Sequence, residues 1–375
     1  MTRGRRLLAL AAYPERSAAT RFRLTQMLPY LQARGWQVQF EPFVHDEFFS
    51  EFYARGHQWR KAAYLTSRSL SRLALALAAA DVDAVYVQRE ASLIGPAYAE
   101  AILGSLRGLP IIFDFDDAIW HYDLPRSKHP IAARLLKSPS KCWRTMRQAR
   151  LVIAGSNYLA ERAREVNRRV EVVPTVVSAA EWTPLPGKLD GRLRDPSRLR
   201  IGWVGSHSTA HQLELVKPAL ARLRAEGHSF ELHVVGAADD FTLETLEMHK
   251  RPWRFDEELQ EFQSIDVGLA PMHADPVYQG KCGFKQLQYM SVGVPFVSSW
   301  VGGAREFVVH GENGLVARDE DDWYVHLKAL LESQQLRSEL ACGGRRLVES
   351  RYCVERQAPR LARFIDDALG YSRAS

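Results

Sequence analysis

The feature that most constrains this chain is a rhythm that occurs twice: short apolar runs separated by longer amphipathic stretches. In the first half the runs are LLALAA from Leu7, WQVQFEPF from Trp36, AVYVQRE from Ala84, IIFDFDD from Ile111, LVIAGS from Leu151 and VEVVPT from Val170. The second half repeats the pattern with LRIGWVGS from Leu199, FELHVVGA from Phe230, DVGLAPM from Asp266 and VPFVSS from Val294. Runs of this kind suit strands buried on both faces, which occur in parallel sheets covered by helices. Helical stretches such as Gln212 to Glu226 lie between them, so the sequence predicts βαβ units. The turn-rich segment Trp182 to Arg198, with Pro184, Pro186, Gly187 and Pro196, separates the halves and reads as a linker. The expected class is α/β, with two doubly wound Rossmann-like domains facing across a cleft. Their expected bounds are 1–181 for the first domain, 182–198 for the linker and 199–355 for the second domain. A C-terminal helix over 356–375 is expected to pack back on the first.

Charge divides the halves. Through Thr175 there are 26 Lys and Arg against 16 Asp and Glu, a net +10, and the remainder holds 24 against 28, a net −4. One stretch, Arg126 to Arg150, carries Arg126, Lys128, Arg134, Lys137, Lys141, Arg144, Arg147 and Arg150 without an acid. A second, Arg55 to Arg72, interleaves Arg60, Lys61 and Arg68 with Trp59, Tyr64 and Leu70. Two readings stand: solvated helix faces, or contact with anionic lipid headgroups or an acidic acceptor. The basic front half alone would favour nucleic acid, but no recognisable nucleic-acid module is present and none is expected as a partner.

No apolar run approaches the roughly 20 residues of a membrane span. The N-terminus MTRGRRLLALAAYPERS has the form of a short signal peptide, yet Leu7 to Ala12 equally reads as a first buried strand. Cys142, Cys282, Cys342 and Cys353 form no CxxC pair and no metal-ligand spacing, which points to a reduced, cytoplasmic chain, with association at the inner membrane face as an extension of the charge pattern.

In doubly wound sheets ligands bind at the carboxyl ends of the strands. Among the segments there, YQGKCGFKQLQYMSVGVPFVSSW, Tyr278 to Trp300, is the most informative. Cys282-Gly283 forms a loop-to-helix entry, Phe284, Leu287 and Ser291 share a helical face, and Gly293 with Pro295 ends the helix before a strand. A lysine in a first helical turn is unfavourable by about 0.3 to 1 kcal/mol, because the helix N-terminus is already positive. Lys281 and Lys285 around this start therefore suggest a bound anion.

The motifs IGWVGS, LHVVGA, IDVGLAPM and FKQLQYMSVGVPFVSSWVGGAREFVVHGENGLVA, from Ile201 to Ala317, resemble the nucleotide-sugar glycosyltransferases of the GT-B fold, specifically family 4. The front-half stretches VYVQRE, IIFDFDDAIW, VIAGSNYLAERA and VEVVPTVV look like a branch of that family with an Asp-rich turn. Where members carry two glutamates, alignment on Gly293-Val294-Pro295 places Gly280 and Gln288. The arginine and lysine that usually follow the first strand of the second domain are replaced here by Ser206-His207-Ser208-Thr209-Ala210-His211.

The resemblance implies transfer of a sugar from a nucleotide-diphosphate donor to a hydroxyl of a glycan, lipid-linked saccharide or small molecule, with retention at the anomeric carbon. It implies no cofactor and no requirement for Mg²⁺, although an Asp cluster is also a possible oxygen-ligand site. Negative charge builds on the leaving phosphate, so the donor site needs fixed cations or amide donors. Lys281, Lys285 and the backbone of Gly205 and Ser206 are assigned there, Gln288 to the ribose, and Arg254 and Glu258 to the base. Asp114, Asp116 and Asp117 crowd one strand end, where mutual repulsion would raise their pKa values. Asp117 is the expected base, with Asp116 and His121 beside it. Arg21, Arg23 and Glu90 are expected to face the acceptor, and Arg89 and Glu90 to pair with each other. A sugar-nucleotide epimerase and a non-catalytic GT-B partner subunit are the rival readings.

Overall fold

A computed structural model describes residues 4–54, 56–121, 138, 140–192, 195 and 199–371. It divides into two compact units, Met1–Thr175 with Gln357–Ser375, and Val176–Arg356. The basic residues Arg55, Arg126, Lys128, Arg134 and Lys137 lie outside the described residues.

In the first unit, β1 (Arg5–Ala11), β2 (Trp36–Pro42), β3 (Ala84–Gln88), β4 (Ile111–Phe115), β5 (Leu151–Ala154) and β6 (Val170–Val172) form one parallel sheet in the order β2-β1-β3-β4-β5-β6. Every residue of β3, β4 and β5 is buried, which is why these strands read as unbroken apolar runs. Helices Gln58–Ala78, Lys141–Gln148 and Asn157–Arg164 lie between strands, the last opened by Ser156, whose Oγ accepts the Leu159 N–H at 3.3 Å. The helix Val354–Leu369 belongs to this unit from Gln357 onward. Its Asp366 carboxylate accepts from Arg5 Nη1 at 2.9 Å, Arg34 Nη1 at 3.0 Å and Trp36 Nε1 at 3.1 Å.

In the second unit, β7 (Arg200–Val204), β8 (Glu231–Val235), β9 (His249–Arg251), β10 (Val267–Ala270), β11 (Phe296–Ser299) and β12 (Leu315–Ala317) run parallel in the order β12-β11-β10-β7-β8-β9. Counted from the unit's own first strand this is the 3-2-1-4-5-6 order of a Rossmann sheet. Its core gathers Trp203, Leu213, Leu220, Leu232, Val267 and Leu327. The molecule is thus α/β with two doubly wound Rossmann-like domains.

Each of the ten apolar runs contains a strand. Edge strands β9 and β12 add to them; β9 is His-Lys-Arg with all three residues exposed, so it carries no burial pattern. The helix expected over 212–226 is divided into a 3-10 turn, Ala210–Leu215, and a helix, Lys217–Ala225, with Pro218 in its first turn.

The segment 182–198 read as a linker is, through Arg192, built into the second unit. Trp182 is buried edge-on against Phe262, and the buried Lys188 donates to Asp266 Oδ1 at 2.8 Å and to the Ile265 carbonyl at 2.6 Å. Arg337 Nε donates to the Gly191 carbonyl at 3.0 Å. Proline and glycine marked turns here, and turns can be packed as firmly as helices.

Candidate functional site

In the second sheet the strand order reverses between β7 and β10, so the loops after these strands frame the expected binding edge. Gly205 follows β7, and its N–H donates to the Val235 carbonyl at 3.0 Å. That amide is spent on the sheet, which corrects its assignment as a donor to phosphate. Gly205 is there for space: a Cβ would strike the Trp203 ring, and a Cβ at Gly236 would strike the Gly205 carbonyl. Ser206 is exposed; its Oγ lies 2.8 Å from Ser208 Oγ and its carbonyl accepts the Thr209 N–H at 2.9 Å, closing a hydroxyl-rich turn.

The helix Phe284–Ser291 begins after Gly283, whose φ of 69° makes the entry turn. In its first turn, Lys285 reaches over β7 and sets its Nζ 4.1 Å from the centroid of the Trp203 ring. A cation over an indole face is attracted by the ring quadrupole. Burial nevertheless holds its pKa down to about 7, against an ordinary 10.5. Among the described residues no carboxylate forms an ion pair with Lys285. Gly205 and Lys285 therefore meet on opposite aspects of one indole, its edge and its face.

Lys281 is partly buried in the loop before the helix, and its carbonyl accepts the Gly303 N–H at 2.6 Å, fastening that loop to the turn after β11. Gln288 is buried and its Nε2 donates to Oε1 of the buried Glu258 at 3.3 Å, so the residues assigned to ribose and base touch each other. Arg254 is exposed in surface ion pairs, 3.0 Å from Glu257 Oε1 and 3.6 Å from Asp256 Oδ2. Beside the β10 loop, Gln212 Oε1 accepts the His273 N–H at 2.7 Å while His211 Nε2 lies 3.0 Å from Gln212 Nε2 and 3.3 Å from the Tyr278 hydroxyl.

The first unit's strand ends hold the remaining expectations. Arg23, expected at the acceptor, is 2% exposed and forks onto Asp114, Nε to Oδ1 at 3.0 Å and Nη2 to Oδ2 at 2.6 Å, with Nη1 donating to the Val173 carbonyl. Tyr86 adds its hydroxyl to Asp114 Oδ2 at 2.6 Å. Burial would lower the Arg23 pKa, but the adjacent carboxylate outweighs it and raises it above its ordinary value. The Arg23 guanidinium is thus part of the core and, contrary to expectation, cannot reach an acceptor.

Arg89 Nε donates to Asp116 Oδ1 at 2.7 Å, and Lys141 Nζ donates to Glu90 Oε2 at 3.1 Å and to the Ser92 carbonyl. Arg89 and Glu90 thus have separate partners rather than each other, and Arg89 itself takes a left-handed φ of 62°. Asp117 is partly exposed and its Oδ1 accepts the Ala118 N–H at 2.9 Å. The three aspartates are divided among different partners, and the Asp114 carboxyl is pushed up mainly by burial, the expected repulsion from neighbouring Asp116 being a smaller cause. His121 is exposed beside Trp120, and Arg21 lies along the Phe22 ring at 4.3 Å.

Sequence reasoning missed Trp203, an apolar strand residue whose role depends on a lysine from a distant helix, and gave Arg89 the wrong partner, since its left-handed backbone and its contact with Asp116 have no signature in composition. Among the described residues no group of three or more His, Cys, Asp and Glu side chains is arranged to hold a metal ion, and no helix is long and apolar enough to cross a membrane.

Residues 198–333 match the family model for glycosyl transferases group 1. HepE of Anabaena, solved with UDP and glucose, is similar over 97% of this chain and 99% of its own, at 15% identity and a TM-score of 0.66. The sucrose-phosphate synthase of Thermosynechococcus elongatus matches over 98% and 100%, at 14% identity and a TM-score of 0.65. WaaG, a glycosyltransferase involved in lipopolysaccharide biosynthesis, matches over 96% and 99%, at 15% identity and a TM-score of 0.60. A search of curated proteins found no match. The chain therefore shares the two-domain fold of these solved structures, and residues 198–333 of its second unit match the glycosyl transferases group 1 domain.

Proposed function

We propose that the chain, as an atypical branch of family 4, moves a sugar from a nucleotide-diphosphate donor to a hydroxyl of a glycan, lipid-linked saccharide or small molecule, with retention. The observation that carries this reading is Lys285: a partly buried ammonium at the binding edge of a Rossmann sheet, resting on an indole and paired with no carboxylate among the described residues. Such a charge is unfavourable until an anion arrives, and a diphosphate is the anion a sugar-transfer reaction leaves behind. HepE, solved with UDP and with UDP-glucose, supports a uridine diphosphate sugar as the first donor to test.

In the mechanism, Lys285 neutralises the charge that grows on the leaving diphosphate, with Lys281 in the loop beside it. The Gln288–Glu258 pair offers an amide and a carboxylate for ribose or base. In the first unit Asp117 orients the acceptor hydroxyl and receives its proton, with Arg89 holding Asp116 next to it. No cofactor enters. The helix Gln58–Ala78 supports peripheral contact with an anionic membrane, because Trp59, Leu70 and Leu77 are 74%, 64% and 52% exposed alongside Arg60 and Lys61.

The test is a calorimetric titration with UDP, GDP, ADP, TDP and CMP, with and without Mg²⁺. Saturable binding of one diphosphate is expected, and binding of none overturns the reading. With a donor in hand, Asp117→Asn is expected to lower turnover by about a hundredfold or more while leaving donor affinity near that of the parent. A fully active variant removes Asp117 as the base.

A further inference from the structure

The amino-terminal edge of the first unit's sheet, opposite the strand ends described above, carries an open cavity of about 740 Å³. Its walls come from the turns that lead into β4, β5 and β6, and they present four arginines: Arg147, Arg150, Arg168 and Arg169. No acidic residue lines it.

The gathering of these arginines has a structural cause. Asn167 Nδ2 donates to the Met146 and Ala149 carbonyls at 2.7 and 2.8 Å, at the end of the helix Lys141–Gln148, while its Oδ1 accepts the Arg169 N–H at 2.8 Å. One amide therefore clips the turn bearing Arg168 and Arg169 to the turn bearing Arg147 and Arg150. The sheet fixes both: the Arg150 N–H donates to the Ile111 carbonyl at 2.8 Å, and the Val152 N–H to the Arg169 carbonyl at 2.9 Å. Arg150 also gives its Nε to the Ala368 carbonyl at 2.9 Å. Among the described residues none of the four forms an ion pair with a carboxylate, in contrast to Arg23 and Arg89 of the same unit.

Like charges held around one concavity repel, and they focus a positive potential into it. Guanidinium forks match phosphate oxygens two at a time, and the volume falls within the range of about 300 to 1,000 Å³ usual for ligand pockets. We propose that this cavity is a second binding site, for a ligand bearing phosphate groups, separate from the donor and acceptor edges. The phosphate can belong to a soluble ligand or to the headgroup of an anionic lipid.

The experiment compares three full-length proteins, all carrying Lys285→Ala so that the strand-end lysine does not contribute. One has no other change. A second adds Arg147→Gln, Arg168→Gln and Arg169→Gln. A third is matched in charge but carries Arg162→Gln, Arg360→Gln and Arg363→Gln, exposed positions of the same unit outside the cavity. Each is titrated with inorganic pyrophosphate by calorimetry and sedimented with vesicles of phosphatidylcholine alone or mixed with phosphatidylglycerol. The cavity variant is expected to bind more weakly by about tenfold or more, since each lost hydrogen bond to a charged group is on the order of a tenfold factor. The charge-matched control is expected to bind like the parent. Selective loss of pyrophosphate binding identifies a soluble ligand, and selective loss of binding to phosphatidylglycerol vesicles identifies a headgroup. The proposal is overturned if the parent binds neither, or if the cavity variant and its control bind alike.

Discussion

The carboxyl strand ends of the two units each close most of their charges in pairs, but one cation of the second unit stands apart. In the first, Arg23 is answered by Asp114 and Tyr86, Arg89 by Asp116, and Lys141 by Glu90, each within 3.1 Å. In the second, Lys285 is answered by an aromatic face alone among the described residues, and burial draws its pKa down to about 7. A closed network contributes to holding the fold, whereas the unanswered cation is where, in the function proposed above, a diphosphate supplies the missing charge. The difference teaches that charge density in a sequence is a poor guide to a site, because the denser cluster here is the more completely satisfied one.

The largest effect that can break this comparison is removal of one partner from the closed side. Asp114→Ala leaves Arg23 charged in the core and is expected to cost about 3 to 5 kcal/mol of first-unit stability in chemical denaturation. A loss below about 1 kcal/mol, within the range of an exposed pair, would mean that water reaches the pair and the contrast fails.

On the open side, Lys285→Ala is expected to weaken diphosphate binding by about ten- to a hundredfold, the worth of one charged hydrogen bond. The melting temperature of the ligand-free protein should hold or rise, since a poorly solvated cation has been removed. Unchanged affinity would assign the lysine to packing against Trp203 and nothing more.

The titration of Lys285 sharpens the point with a smaller and graded effect. Its folded pKa of about 7 lies below the ordinary 10.5, so between these values the unfolded chain binds more protons and the ligand-free protein gains stability as pH rises. Diphosphate binding runs the other way. The bound anion favours the charged lysine, so affinity falls as pH climbs above about 7, by up to about tenfold per pH unit. Both trends should vanish in Lys285→Ala, and a pH-independent affinity in the parent would contradict the assignment. Smallest of all is Arg254→Ala, an exposed residue in surface pairs, expected to change stability by less than about 0.5 kcal/mol and donor affinity by about twofold or less. A large loss of affinity would move Arg254 from the surface network into the site.

Strand positions were legible because parallel strands buried on both faces carry their own signal. Edge strand β9 was illegible for the same reason, having no buried residue to betray it. The helix Phe284–Ser291 was read from glycine and proline at its ends, and its lysine from the sign of the helix dipole. Pairing was another matter. Arg23 and Asp114 are 91 residues apart, and only the β1-β3-β4 order brings them together. Nothing local separates an arginine that will be buried against a carboxylate from one that will face solvent. Turn-forming residues misled in a similar way over 182–192, where they shape a packed segment rather than a free tether.

The stack formed by Trp203, Gly205 and Gly236 has a consequence for anyone wishing to engineer this protein. The basic residues that family resemblance would place after the first strand of this domain cannot be grafted at Gly205, because any side chain there collides with the indole, and the Gly205 carbonyl in turn excludes one at Gly236. A graft has to begin at Ser206, whose hydroxyl stands in solvent. Position 205 accepts a side chain only together with a smaller residue at 203, and that exchange would strip Lys285 of the ring beneath it. Positions 203, 205, 236 and 285 therefore form a single mutational block, while Ser206 beyond it is free to accept a basic side chain with the lysine and its ring left in place.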